Sequence, residues 1–231
     1  STPMPGGIAA IRYPWRMALA HLYRVFGADV SQCELQTIRR RSPQEIEVLL
    51  RMIDTGVNSP LTSSCGRLFD AVAAILDVRE AITYDAQAAI ELETLALSCS
   101  SEEVEYEEVV SSATPQGPLA LGPLFNCLLR DICSTVPYNA IALRFHHTVA
   151  ALFAKAVKDV RTRTGISAVV LSGGCMHNML LLDGLRKRLS NQGFQTFTNE
   201  QVPPSDGGLA LGQILVADAI AKYETMSTQQ E

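Results

Sequence analysis

The chain has no Cys-x-x-Cys pair, no regular cysteine spacing, no long apolar run and no surplus of basic residues. Its six cysteines (Cys33, Cys65, Cys99, Cys127, Cys133 and Cys175) are scattered. Such scatter excludes a sequence-local zinc site or a disulfide framework and suits a reducing cytosol. No stretch approaches the roughly 18 apolar residues of a membrane span, and no charged-then-apolar leader opens the chain. The expected location is cytoplasmic, with no membrane contact. A formal net charge of -5 argues against nonspecific nucleic-acid binding, which calls for a basic face. Arg186-Lys187-Arg188 is one turn of helix and not a patch. The four histidines supply no metal site of their own. His146 and His147 are neighbours that point about 100° apart on a helix, and neither has a histidine four residues on. A core or surface role is expected for them.

What is present is an ordinary globular composition, 47% hydrophobic and 19% charged over 231 residues. That suffices for one sizeable core, or a main domain with a smaller helical attachment. The first half reads as helices. Trp15, Ala18, Leu19, Leu22 and Phe26 recur at three- and four-residue spacing and predict a helix over 14–26, stopped by Gly27. Ser42, Pro43 and Glu45 mark the start of a second, with Gly56 as its stop. The polar cluster Thr62 to Gly66 leads into a helical run from Arg67 to Leu76. Further helices are expected over 86–98, 123–135 and 138–162, the last closed by Gly165. Val104, Tyr106, Val109 and Val110 suggest an edge strand, and 111–118 a surface loop. A βαβα sequence closes the chain: strand 168–171, helix 176–191, strand 194–198 and helix 208–223, before a polar tail over 227–231.

Two glycine turns interrupt this last part: Ser172-Gly173-Gly174 running on to Asn178, and Pro203-Pro204-Ser205-Asp206-Gly207-Gly208. In a parallel α/β unit such turns bring backbone N–H groups and a helix N-terminus onto an anion. Plain strand-to-helix punctuation explains a Gly-Gly pair equally well. Asn178 fits either a helix cap or a ligand contact. Asp206 at the mouth of a helix reads first as an N-cap and second as a hard-oxygen metal ligand. Arg67 and Asp70, three residues apart, share a helix face. They read either as a solvated first turn or as a cation for phosphate and a carboxylate for ribose hydroxyls. His177 and Cys175 flank the first turn, where a thiol–imidazole pair is a weak alternative.

Taken in order, these residues resemble a known family. Pro5-Gly6-Gly7 through Pro14-Trp15-Arg16, Ser63 through Val72, Tyr84 through Glu93, Phe145-His146, Ser172-Gly173-Gly174 with His177-Asn178, and Pro203 through Gln213 are similar to the C-terminal region of the HypF hydrogenase maturation carbamoyltransferases. The resemblance spans almost the whole chain. It implies a helix-rich α/β fold, the second lobe of an ASKHA (actin-like, sugar-kinase-like, RNase H-like) domain with a helical portion and the first lobe missing, similar to the TsaD threonylcarbamoyl transferases. It divides the chain into a helical segment over 1–60, a mainly helical part over 61–164 and a βαβα nucleotide-binding part over 165–231. In the family, ATP and carbamoyl phosphate give carbamoyl-adenylate. The carbamoyl group then passes to the C-terminal cysteine of the partner HypE, toward the cyanide ligands of nickel–iron hydrogenase.

Carried over position by position, Asp70 matches a ribose-binding aspartate, Gly173 and Gly174 the phosphate-side turn, and Asn178 a nucleotide-contacting asparagine. Gly66, Arg67 and His177 flank these as further nucleotide-binding candidates. Asp206 matches a metal-ligand aspartate. The divalent metal (Mg, Fe or Zn) would need more ligands from the missing lobe, since the family's His-x-x-x-His pair is not in this sequence. No catalytic residue is implied, the attacking thiolate coming from the partner. Ala86 stands where family members commonly carry Gly. Ser1 in place of Met, with Pro5-Gly6-Gly7 close behind, suggests a piece of a longer chain. The apolar set Leu211, Ile214, Leu215 and Ala219 on the last helix would then be partly exposed, or covered in a homodimer. Two other functions are weighed against this one. A threonylcarbamoyl transferase acting on tRNA is opposed by the acidic balance and by Ala71, where that group typically has Lys. A non-catalytic interaction module would use the helices only to dock a partner.

Overall fold

The computed structural model describes residues 1–32, 34–100, 102, 104–114 and 121–228, and the side chains of all of these except 31, 32 and 223–228. Cys33, the 115–118 part of the expected loop and the tail beyond 228 lie outside the described residues. The elements are β1 (Thr2–Pro3), α1 (Ile8–Arg12), α2 (Pro14–Phe26), α3 (Gln36–Arg39), α4 (Pro43–Thr55), β2 (Leu61–Thr62), α5 (Cys65–Ile75), α6 (Gln87–Leu97), α7 (Glu107–Ser112), α8 (Gly122–Cys133), α9 (Tyr138–Thr164), β3 (Ala168–Leu171), α10 (Met179–Asn191), β4 (Gln195–Thr198) and α11 (Leu209–Thr228).

Locally coded helices form where expected. Pro14 opens α2 and Gly27 closes it. On α4 the Ser42 Oγ accepts the Glu45 N–H at 3.1 Å, and Gly56 stops the helix at φ 70°, a side-chain cap that contributes about 1 kcal/mol. The core is helical: α2 packs on α5, α5 on α6, and α9 runs between α6 and α10. At 27 residues, α9 is about 40 Å long, and it buries Ile141, Phe145, Val149 and Leu152 along one side. Fully burying each such side chain stabilises by roughly 1.5–3 kcal/mol.

Three expectations change. The stretch around Tyr106 is not an edge strand but the entry to α7. Its N–H bonds Thr148 Oγ1 at 2.9 Å and its hydroxyl bonds Asp131 Oδ2 at 2.8 Å, which Arg144 also contacts at 2.8 Å. Those three anchors sit on α8 and α9, so no strand partner is needed, and Glu107 and Glu108 suit the first turn of a helix. Ser111 and Ser112, expected in a loop, complete this helix. Leu61, which the sequence reads as the end of a connector over 57–61, pairs with Pro3 in an antiparallel bridge, β1 to β2.

The C-terminal unit is the expected parallel pair, with Ala168 to Leu171 in register with Gln195 to Thr198 and α10 between them in sequence. Two arginines tie it to the rest of the chain. Arg161 of α9 stacks 3.8 Å from the centre of Phe194 and bonds the Gln192 carbonyl at 2.8 Å. Arg188 of α10 grips Glu105 with two bonds of 2.9 and 3.2 Å. In contrast, Val170 and Phe197 on the sheet, and Leu211, Ile214, Leu215, Val216 and Ile220 on α11, remain exposed.

Ala86 sits at φ 62°, ψ 9°, immediately before α6. The left-handed region costs a residue with a Cβ roughly 1–2 kcal/mol, which gives a conformational reason for Gly at this position. Replacing Ala86 by Gly should stabilise the fold by about 0.5–1 kcal/mol, net of the greater freedom of an unfolded Gly. Thermal unfolding should then shift up by about 1–4 °C, and a lower midpoint would contradict the backbone assignment.

Two histidines are sealed in the core. His21 stacks on Phe125, and His146 meets Phe69 and Phe145 edge-on. Burial lowers both to about 4. The unfolded chain therefore takes up protons at these groups before the folded one does. Their stabilising contribution is complete above pH 6.5 and is lost as pH falls toward 4, at up to about 1.4 kcal/mol per pH unit for each histidine. Asp70, raised to about 6 by burial, opposes this between its ordinary range and pH 6, but one group does not cancel two. Melting midpoints measured from pH 7 to 4.5 should fall continuously below about 6.5. A flat profile would mean that the histidines are not buried in neutral form.

Candidate functional site

The site is assembled from the N-terminus of α5 and the turn that follows β3. On the first side, the Ser64 N–H bonds Thr62 Oγ1 at 3.1 Å and holds the polar turn. Cys65 and Gly66 then begin α5, whose Leu68, Phe69 and Val72 are buried. This packing carries Asp70 inward to 1% exposure. Arg67 Nη1 stands 2.8 Å from Asp70 Oδ2, yet the two are not aligned as a hydrogen bond, so Asp70 Oδ2 is a buried acceptor without a well-directed donor. Of the two readings of this pair, the solvated first turn gives way to a buried ion pair. Burial raises Asp70 to about 6 against the opposing pull of Arg67. The carboxylate remains mainly ionised at neutral pH, ready to accept hydrogen bonds.

On the second side, Gly173 adopts φ 98°, ψ 163°, a conformation that L side chains rarely reach. The chain leaves β3 through it into one 3-10 turn, Gly174–His177, closed by Met176 N–H to Gly173 O at 2.9 Å and Asn178 N–H to Cys175 O at 3.2 Å. A Cβ built on Gly173 or Gly174 would meet nothing within 4 Å. The outer face of the turn is therefore open to a ligand. The turn Gly174–His177 is in contact with α5, and the Cys65 thiol, the Gly66 N–H and the Arg67 charge there lower the Cys175 thiol to about 7. Gly66, Arg67 and Asp70 lie on α5, which is in contact with the turn that follows Gly173.

The helix expected to start at 176 starts three residues later, and its N-terminus already has acceptors. Asn178 Oδ1 caps Leu181 N–H at 2.9 Å, and the Glu93 carboxylate, from α6, accepts Leu180 N–H at 3.0 Å. An anion at this turn would meet the Gly-Gly backbone and not the end of α10. Asn178 Nδ2 lies 3.1 Å from His146 Nε2, while His146 Nδ1 lies 2.7 Å from the Ala142 carbonyl. A carbonyl only accepts, so Nδ1 carries the proton and Nε2 takes the Asn178 amide proton. Asn178 is capping and buttressed, with its second amide proton left for another contact. Glu93 and His146 are the two residues whose positioning role sequence reasoning missed. Both act across long sequence separations, and the only hint of them is that they occur within the strings quoted above.

Asp206 stands apart. It is exposed and lies inside a 3-10 turn, Asp206–Gly208, whose N-cap is Ser205, so it is not the cap itself. Gly208 is required there, since a Cβ would come within 2.7 Å of the Pro203 carbonyl. His177 Nε2 to Ser205 Oγ, 3.1 Å, joins the two glycine turns. Between them, a groove of about 660 Å³ runs from Ser172 past Pro203 along α11. Among the described residues no group of three His, Cys, Asp or Glu side chains could hold a metal ion. A lone exposed carboxylate does not fit a complete metal site.

Comparison with known proteins identifies the family and the fold. The family model described as carbamoyltransferase, Kae1-like domain, second subdomain, matches residues 1–213. The carbamoyltransferase HypF2 of Cupriavidus necator is 36% identical over 93% of this chain, and the carbamoyltransferase HypF of Synechocystis sp. is 31% identical over 94%. The chain spans 28% and 29% of their lengths. A crystal structure of full-length HypF in a phosphate- and nucleotide-bound form superposes on 95% of this chain with a TM-score of 0.82 at 32% identity, 28% of that protein being covered. The HypF of T. kodakarensis gives a TM-score of 0.79 at 26% identity. The expected helix-rich α/β second lobe is thus the fold of this protein, and the chain belongs to the HypF carbamoyltransferase family as the second subdomain of its Kae1-like domain.

Proposed function

We propose that this chain forms the nucleotide-side wall of a carbamoyltransferase site that uses ATP and carbamoyl phosphate, by way of carbamoyl-adenylate, and delivers the carbamoyl group to the C-terminal cysteine of HypE. The observation that carries the reading is the buried, ionised Asp70 on a helix in contact with the open Gly173-Gly174 turn, in a chain whose structural relatives include a nucleotide-bound HypF. A ribose offers two hydroxyl donors, and Asp70 Oδ2 lacks a well-directed one. The Gly-Gly backbone offers N–H groups to the phosphate side, with Arg67 adding positive charge and Asn178 its second amide proton. Gly66 and His177 border the same space. In this reading the chain's contribution is orientation and electrostatic stabilisation of an acyl transfer, the nucleophile being the partner's thiolate.

Keeping Asp70 charged while buried costs the fold on the order of 3 kcal/mol at neutral pH, a cost that packing alone does not require. Asp70→Asn in the full-length enzyme should therefore leave the melting midpoint unchanged or higher. ATP affinity should fall about 10- to 100-fold, the loss of one charge-assisted contact of about 1.5–3 kcal/mol. Calorimetric titration measures both the loss and its pH counterpart, a weakening of wild-type binding below pH 6 as Asp70 protonates. Undiminished binding by the variant would remove Asp70 from the site.

We further propose that Asp206 supplies one ligand to a divalent metal whose other donors lie outside these residues. In the full-length enzyme Asp206→Ala should abolish carbamoyl transfer to HypE and lower the bound metal, both measured on the same preparation. Wild-type transfer with full metal content would sink the assignment.

A further inference from the structure

His146 is wholly buried, yet it holds a residue that ends the open turn. Its ring lies edge-on to Phe69 of α5 and to Phe145, its neighbour on α9. Three hydrogen bonds then run in one direction from α10 to α9. Leu181 N–H donates to Asn178 Oδ1 at 2.9 Å, Asn178 Nδ2 to His146 Nε2 at 3.1 Å, and His146 Nδ1 to the Ala142 carbonyl at 2.7 Å. The two ends are backbone groups of fixed polarity, one an N–H and the other a carbonyl, so a single arrangement of protons satisfies all three bonds. Bonds linked in this way polarise and strengthen one another. The helices that carry them also meet closely, since a Cβ on Gly184 of α10 would stand 3.2 Å from the Ala150 Cβ, one turn beyond His146 on α9. Given the nucleotide reading of the Gly173-Gly174 turn, on which this rests, we propose that His146 is a positioning residue of that site: its unprotonated Nε2 holds the Asn178 amide so that the remaining N–H is turned to the phosphate.

The α10 cap by itself secures only the oxygen of the amide. The nitrogen end is secured by an acceptor, and the imidazole is the one the fold supplies. With the amide turned over, its oxygen would stand against the Nε2 lone pair and its nitrogen against Leu181 N–H, and the phosphate would meet a lone pair in place of a proton. A phenylalanine ring at 146 would fill the space beside Phe69 and Phe145 but leave the Asn178 N–H without an acceptor. A glutamine would do the reverse, placing a carbonyl oxygen about where Nε2 stands while giving up the ring. Packing and positioning therefore rank the two substitutions in opposite orders.

The test titrates ATP calorimetrically into the full-length enzyme and its variants and reads the melting midpoint on each preparation. His146→Phe should melt near the wild type and lose about five- to tenfold in affinity, the worth of one hydrogen bond. His146→Gln should melt lower and yet bind within about threefold of the wild type. Asn178→Ser, which keeps an oxygen for the cap but is too short to reach His146, should match the His146→Phe loss, and combining the two should cost nothing more. Wild-type affinity in His146→Phe with weaker binding in His146→Gln is the signature of a side chain that only fills the core, and would overturn the proposal. Should His146→Phe not fold, His146→Asn takes its place with the same expected loss, because its shorter amide serves the Ala142 carbonyl and not Asn178. Full affinity in Asn178→Ser would remove Asn178 from the nucleotide site and this role of His146 with it. Full affinity in His146→Phe beside a weakened Asn178→Ser would overturn the role of His146 alone.

Discussion

A carboxylate held in its charged form inside a helical core is the constraint on which the rest of this structure turns. Asp70 is carried inward because Phe69 and Val72 beside it must be buried, and its only charge partner on α5 is Arg67, one turn earlier in the same helix. A pair this close in sequence cannot be optimised by moving one element against another. The carboxylate therefore stays poorly satisfied, and burial raises it to about 6. Hydrophobic packing of similar volume would be more stable there. A buried group kept against the interest of stability is a mark of a site, and here its helix touches a turn whose Gly173 and Gly174 leave open space around them.

Much of this was legible in the sequence, and the legible parts share a cause. The Ser42 cap and the glycine stops at 27, 56 and 165 are decided within one helical turn, so local spacing reveals them. The β3 bounds follow in the same way from an apolar run between turn residues. What failed was non-local. Tyr106 looked like a strand residue until Thr148 and Asp131 took its N–H and hydroxyl. The end of α10 looked free for an anion until a carboxylate from α6 took Leu180 N–H. Leu61 found a strand partner only because the chain start folds back onto it. For the site, the residue types and their order were readable, whereas the inward aim of Asp70 and the His146–Asn178 contact needed the packed core.

His146 shows how the core and the site are joined. Its ring is clamped between Phe69 and Phe145, and its tautomer is set by the Ala142 carbonyl. The remaining nitrogen then orients the Asn178 amide, and that amide caps α10. Phe69, adjacent to Asp70, and Asn178, which ends the Gly-Gly turn, thus share one buried imidazole. A small displacement of α9 would be felt on both sides of the junction. This is what keeps two segments of distant sequence in register without a bridging strand.

The two glycine turns differ sharply in how they are held. The first is fixed from below by His146 and Glu93, while the sheet unit that carries it is tied to the helices by Arg161 and Arg188. The second is joined to the first by the His177–Ser205 contact, and it leads into α11, which exposes five large apolar residues from Leu211 to Ile220. Exposed apolar rows of this kind mark contact surfaces. The Gly173-Gly174 side is therefore held by this chain's own packing, since it is positioned by the buried His146 and the half-buried Glu93. The Asp206 side is not, because a single exposed carboxylate on a turn with one polar tether has neither the partners nor the rigidity to fix a metal. The division of the site into a finished wall and an unfinished one follows from where this chain has side chains to bury.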